Sequence, residues 1–149
     1  MRDTIYDVLK KNPIGSRVGI SGWVRTFRND QFIALNDGSC IDNLQVVVHA
    51  DLNIDDTFKR LQTGAAIHAE GTLKESLGKG QSIELICDKL TVLGDCSPDE
   101  YPIQMKRHSL EFLREKAHLR FRTNTFAAVF RIRHHLAYAI HSFFNERGF

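Results

Sequence analysis

From Arg17 onward the chain alternates, with Val18, Ile20, Gly22 and Val24 on one side and Arg17, Gly19, Ser21, Trp23 and Arg25 on the other. A period of two suits a strand that buries one face and leaves the other to solvent. A second alternating run, Phe32 to Asp37, stops at the turn signal Asn36-Asp37-Gly38, and a third follows from Asn43 to His49. The pattern then breaks once. Over Ile54–Gln62, Ile54, Phe58 and Leu61 recur at helical spacing. Two aspartates stand near the start of that stretch, where a helix favours negative charge, and Gly64 closes it. Period two resumes over Ala66–Lys74, passes a flexible tip at Gly78-Lys79-Gly80, and continues from Ser82 to about Leu93.

Three strands, a helix and two further strands give the element order of an all-β OB-fold. That fold is a five-stranded Greek-key barrel with one helix between the third and fourth strands. The opening TIYDVLKKN reads as a short helix or cap ended by Pro13 and Gly15. Residues 1–95 are therefore expected to form the barrel domain. Residues 96–122 read as a linker and hinge. The proline-, glycine- and acid-rich GDCSPDEYP, Gly94 to Pro102, leads into them, and they contain a short helix capped by Ser109. Residues 123–149 read as one long helix, capped by Thr123 or Asn124 and ended at Gly148. Phe126, Phe130, Ala137, Ile140 and Phe144 form one stripe of it, and Val129, Ile132, Leu136, Ala139 and Phe143 its neighbour. So wide an apolar face needs cover on more than one side, and the sequence looks incomplete.

The apolar runs fall far short of the ~20 residues of a membrane span, and the N-terminus has no apolar signal core. A cytosolic protein is the expectation. Cys40, Cys87 and Cys96 are odd in number and lack CxxC spacing, so they read as thiols of a reducing compartment. The seven histidines make no metal-spaced set with them. The net charge of +2 hides an uneven spread: +4 over residues 1–29, −8 over 30–103 and +6 over 104–149. A polyanion would then be held by local basic patches and by the C-terminal segment. No phosphate-binding loop, GxSxG or HExxH occurs, and no catalytic constellation stands out.

OB-folds bind single strands through aromatics that stack on bases and polar groups that read base edges. Phe32 is out of phase with Ile33 and Leu35, and Gln45 with Leu44, Val46 and Val48. Both point outward if their neighbours fill the barrel. Phe32 is then a stacking platform or is packed under a loop, and Gln45 is a base-edge reader or simply solvated. Arg25 and Arg28 could meet phosphates or a base edge. Trp23, the single tryptophan, reads as a packing residue.

The runs Gly22-Trp23-Val24-Arg25-Thr26 and Phe32-Ile33-Ala34-Leu35-Asn36-Asp37-Gly38-Ser39 closely resemble the anticodon-binding domain of asparaginyl-tRNA synthetases. The stretches Tyr101–Arg114 and His118–Phe126 resemble that family's hinge, and the likeness covers nearly the whole chain. It implies that the barrel grips the tRNA(Asn) anticodon loop. Phe32 would stack on the middle base, Gln45 read its edge, and Arg25 help to hold the loop. It also implies that the long helix carrying Phe126, Phe130, Ile140 and Phe144 begins a class II catalytic domain, where motif 1 builds a homodimer interface. The complete family enzyme uses ATP and Mg2+ to activate asparagine and passes it to tRNA. No cofactor is expected in this stretch, because it ends before motifs 2 and 3 and would be inactive alone. Phe121 stands where the family's hinge usually has proline. The rival reading is a stand-alone OB-fold module that binds single-stranded nucleic acid or tRNA without catalysis.

Overall fold

The computed structural model describes residues 3–11, 14–49, 55–78 and 80–149, and only the backbone of 55–57. They divide into two compact units, Met1–Met105 and Lys106–Phe149. The first unit opens with helix α1 (Ile5–Lys11), followed by strands β1 (Arg17–Arg28), β2 (Phe32–Asn36) and β3 (Leu44–Val48). Helix α2 (Asp55–Arg60) separates these from β4 (Ala66–Glu75) and β5 (Ile83–Gly94). The strands close into a barrel in the order β1-β2-β3-β5-β4. Every neighbouring pair is antiparallel except β3 with β5. This is the five-stranded OB-fold expected from the alternation. The helix expected over Ile54–Gln62 runs from Asp55 to Arg60. Pro13, Ile54 and Lys79, each part of an expectation above, lie outside the described residues.

Strand β1 serves two neighbours: Arg17–Trp23 pair with β4 and Trp23–Arg28 with β2. The handover needs close backbone approach. A Cβ at Gly22 would come within 2.3 Å of the Asn36 carbonyl oxygen, and one at Gly71 within 2.0 Å of that of Ile86. Only glycine fits such contacts.

The inward positions are those the alternation selects. Ile20, Val24, Ile33, Leu35, Leu44, Val46, Ile67, Leu73, Ile83 and Leu85 are each 0% exposed. Burying a side chain of this size contributes about 1.5–3 kcal/mol relative to leaving it in water. Helix α1 adds Ile5 and Val8 to the same core, and Leu61, just past α2, adds another contact. At seven residues α1 is too short to stand alone, so its order comes from packing and capping. Thr4 Oγ1 accepts from the Asp7 N–H at 3.1 Å, and the barrel caps the two N–H groups before it. Ile5 N donates to Asp37 Oδ2 and Tyr6 N to Ser39 Oγ, both at 2.9 Å. The loop that supplies those caps is shaped by Asn36, the one buried polar residue of the set. Its amide donates to the Cys40 and Asp42 carbonyls, and its oxygen accepts from Gly38 N. Trp23 packs as expected, with its ring against Gly38. In the segment read as a linker, Tyr101 and Ile103 are buried, and the Tyr101 ring lies against Gly64.

The second unit contains helix α3 (Leu110–Glu115), a 3-10 turn at Arg120–Arg122 and the long helix α4 (Asn124–Asn145). Ser109 Oγ accepts from Phe112 N at 3.2 Å, the cap expected from sequence. Of the two candidate caps for α4, Thr123 serves, accepting from Phe126 N at 3.4 Å. The Arg120 guanidinium lies over the rings of Phe126 and Phe130, at 4.8 and 5.6 Å from their centroids. No residue of α4 is buried. Ile132, Leu136, Ile140, Phe143 and Phe144 are each exposed. Among the described residues no helix is long and apolar enough to cross a membrane.

Candidate nucleic-acid interface

Because Ile33 and Leu35 fill the barrel, Phe32 and Ala34 face outward on β2. On β3 the same logic turns Gln45 and Val47 outward. Strand register sorts these into rows. Phe32 stands opposite Arg28 on one side and Val47 on the other, and Val47 opposite Ile86. In the next row Ala34 stands between Thr26 and Gln45, and Gln45 opposite Glu84. Phe32 and Gln45 are thus diagonal neighbours on one face, a relation that puts Cβ atoms about 7–8 Å apart. Both are half-buried and Arg28 is exposed. Val47, although outward in phase, is 5% exposed and lies outside the barrel core cluster, making an apolar neighbour for Phe32.

Of the four candidates from sequence, the register brings together Arg28, Phe32 and Gln45. Arg25 is placed differently. The β1–β2 register shifts between Val24 and Thr26, so Arg25 is the extra residue of a bulge and not a member of either row. Its guanidinium is half-buried near Tyr101, and burial lowers its pKa while Tyr101 acts the other way. The alternation that grouped Arg25 with Trp23 assumed an unbroken strand.

Two neighbours escaped the sequence reading. Gln45 Nε2 donates to Glu84 Oε2 at 3.2 Å, and Ser76 Oγ donates to the same oxygen at 3.1 Å. The alternation of Ile83, Leu85 and Cys87 could have turned Glu84 outward, but nothing local pairs β5 with β3. The face therefore offers an aromatic ring for stacking, a carboxamide able to donate and accept, and a cation within one strand spacing.

Elsewhere on the barrel, Ser21 Oγ lies 2.7 Å from His68 Nδ1, and Glu70 Oε1 lies 3.8 Å from His68 Nε2. The arrangement lacks the hydrogen bonds of a hydrolytic triad, because at 3.8 Å the carboxylate is too far from the ring to orient it and is paired instead with Lys89 Nζ at 2.7 Å. Among the described residues no cluster of three or more His, Cys, Asp or Glu could hold a metal ion.

Residues 18–93 match the tRNA anticodon family model, described as an OB-fold nucleic acid binding domain. The asparagine–tRNA ligase of Parabacteroides distasonis is 54% identical over 99% of this chain and 32% of its own length. That of Porphyromonas gingivalis strain W83 is 50% identical over the same shares. The crystal structure of asparaginyl-tRNA synthetase from Pyrococcus horikoshii, complexed with asparaginyl-adenylate, superposes with a TM-score of 0.84 at 25% identity. It covers 100% of this chain and 35% of that one. The chain thus spans about a third of the length of the curated relatives it matches. With a closed barrel of this topology and a family match over most of its strands, the chain belongs to the tRNA anticodon family of OB-fold nucleic-acid-binding domains.

Proposed function

We propose that the chain is the anticodon-binding portion of an asparagine–tRNA ligase, working in the cytoplasm on the anticodon loop of tRNA(Asn). The observation that carries this is the outward face on which Arg28, Phe32 and Gln45 meet. Phe32 stacks on the middle anticodon base, a contact worth ~1–3 kcal/mol whatever the base. Gln45 reads that base's edge, where a mismatch leaves the amide unpaired. Arg28 meets a loop phosphate and supplies salt-dependent affinity. Arg25 contributes at the flank, with less exposed cationic surface.

In the complete ligase, ATP and Mg2+ serve to activate asparagine, which then passes to the tRNA; no residue described above is assigned to that step. The apolar stripe of α4, with Phe126, Phe130, Ile140 and Phe144, joins two copies of the enzyme. Support for this last point is that a 22-residue helix so rich in large apolar side chains buries none of them.

The test is a titration of the chain with labelled RNA stem-loops. One carries the GUU anticodon of tRNA(Asn) and the other a scrambled loop on the same stem. Tighter binding of the GUU loop is expected, weakening in both cases as salt rises. Equal affinities at every salt concentration would contradict the assignment.

A further inference from the structure

The segment after β5 lies on the barrel as a strap and within the same unit. Asp95 meets Arg60, at the end of α2, in a two-point pair: Nε to Oδ1 at 2.6 Å and Nη2 to Oδ2 at 3.0 Å. Cys96 packs against the core cluster, and Tyr101 and Ile103 are buried. Tyr101 N donates to the Ser97 carbonyl at 3.0 Å, making a single turn, and Gln104 Nε2 donates back to the Tyr101 carbonyl at 2.8 Å. A solvated tether needs none of these contacts.

The seat of the strap is Gly64. A Cβ there would come within 2.8 Å of Cys96 Sγ and 3.0 Å of the Tyr101 ring, and its φ of +95° suits glycine. The turn that holds Gly64 hangs in turn on β1 at its bulge. Gly64 N donates to the Val24 carbonyl at 2.8 Å, Val24 N to that of Ala65 at 2.9 Å and Thr63 Oγ1 to that of Arg25 at 3.5 Å. Arg25, the extra residue of the bulge, lies half-buried near Tyr101. Beyond it β1 pairs with β2 alone, through Thr26 opposite Ala34 to Arg28 opposite Phe32. A guanidinium is weakly hydrated and suits a place beside an aromatic ring.

We propose that Arg25 and Tyr101 form a latch, a pair of positioning residues that hold the strap on the β1 bulge. Through it, strap seating and RNA binding at the Arg28–Phe32 end of β1 favour one another. The proposal rests on that face being the RNA site. Arg25 then contributes to RNA affinity through the strap and not by a phosphate contact. With the strap lifted, the bulge loses its cover and Thr26–Arg28 are free to shift against Phe32. Linkage runs both ways, so bound RNA must tighten the strap as much as the seated strap aids the RNA.

The experiment titrates wild type, Arg25→Gln, Tyr101→Leu and the double variant with the GUU and scrambled stem-loops over a range of salt. Each protein is checked for its melting temperature. Leucine keeps apolar bulk over Gly64 but removes the ring, and glutamine removes the charge. Each single variant should bind the GUU loop roughly fivefold more weakly, the scale of an indirect coupling. The double variant should be no weaker than the singles, because both act through one contact. The dependence of affinity on salt should stay as in wild type. Hydrogen exchange over residues 96–104 should slow when wild type binds the GUU loop, and should not respond in Arg25→Gln. A salt slope lowered by ~0.7 in Arg25→Gln would mean a direct phosphate contact on a single strand. That result would overturn the latch and leave the anticodon reading standing. So would wild-type affinity in Tyr101→Leu, losses that multiply in the double variant, or strap exchange in wild type that ignores saturating RNA. Wild type binding the scrambled loop as tightly as the GUU loop would bring down both.

Discussion

Asp37 Oδ2 accepts a hydrogen bond from the Ile5 N–H at 2.9 Å, across 32 positions of sequence. The β2–β3 loop thereby supplies a cap that a seven-residue helix cannot supply entirely for itself. Asp37→Ala should destabilise the chain by about 1 kcal/mol, the usual worth of a cap. Asp37→Asn keeps an acceptor oxygen and should recover much of the loss. Urea denaturation checks both. An alanine variant as stable as wild type would mean that the contact carries no free energy.

The β1–β2 turn places Asn29 and Asp30 at φ values of 53° and 49°. Two consecutive left-handed residues suit a tight hairpin, and Asn29 tolerates the conformation better than most residues. Asp30→Gly would remove a steric penalty while adding chain entropy to the unfolded state. The net gain should be up to about 1 kcal/mol. A lower denaturation midpoint for this variant would contradict the turn geometry.

Three carboxyl groups, the exposed Asp88 and Asp95 and the half-buried Glu70, sit below the ordinary carboxylate range, each chiefly because a cation hydrogen-bonds to it: Asp88 with Arg17, Asp95 with Arg60 and Glu70 with Lys89. Depressed pKa values in the folded chain mean that folding favours the ionised forms. Their contribution is complete above the unfolded values of about 4 and fades as the pH falls through the lower folded ones. Such pairs are individually weak and screened by salt. Asp88→Asn should therefore lower the melting temperature slightly at pH 7, and the gap from wild type should narrow towards pH 3. A gap that widens in acid would reverse the sign and refute the pairing.

Much of the barrel was legible because a period of two reports directly which face a residue takes. Ile20, Ile33 and Leu44 were assigned inward by that rule, Ser109 announced a helix start through its side-chain chemistry, and Thr123 was one of two candidate caps for the long helix. Phe32 and Gln45 were legible as outward for the same reason. Alternation names a face, however, and not a neighbour. The pairing that sets Glu84 beside Gln45 joins residues 39 apart through a parallel contact that no local signal marks. The bulge at Arg25 was not legible, because an extra residue breaks the register without altering the residue pattern. Asn36 was read as a turn signal, although its larger part is to tie the whole loop from Gly38 to Asn43.

Helix α4 exposes Ile132, Leu136 and Ile140 along spacings of four residues. A continuous apolar stripe of this kind should drive self-association at micromolar concentration. Sedimentation velocity should show species larger than the monomer that increase with concentration, and Ile140→Lys should shift them towards the monomer. A wild-type monomer over the whole range would contradict the assignment of this stripe to an interface between copies.

The most direct measurement of the anticodon reading is the affinity of Phe32→Ala for the GUU stem-loop and for its scrambled counterpart. Stacking tolerates base identity, so the variant should bind both loops more weakly by roughly fivefold or more. The ratio between the two loops should change little. Affinities unchanged from wild type would show that Phe32 only packs against the barrel surface, and the nucleic-acid face would have to lie elsewhere.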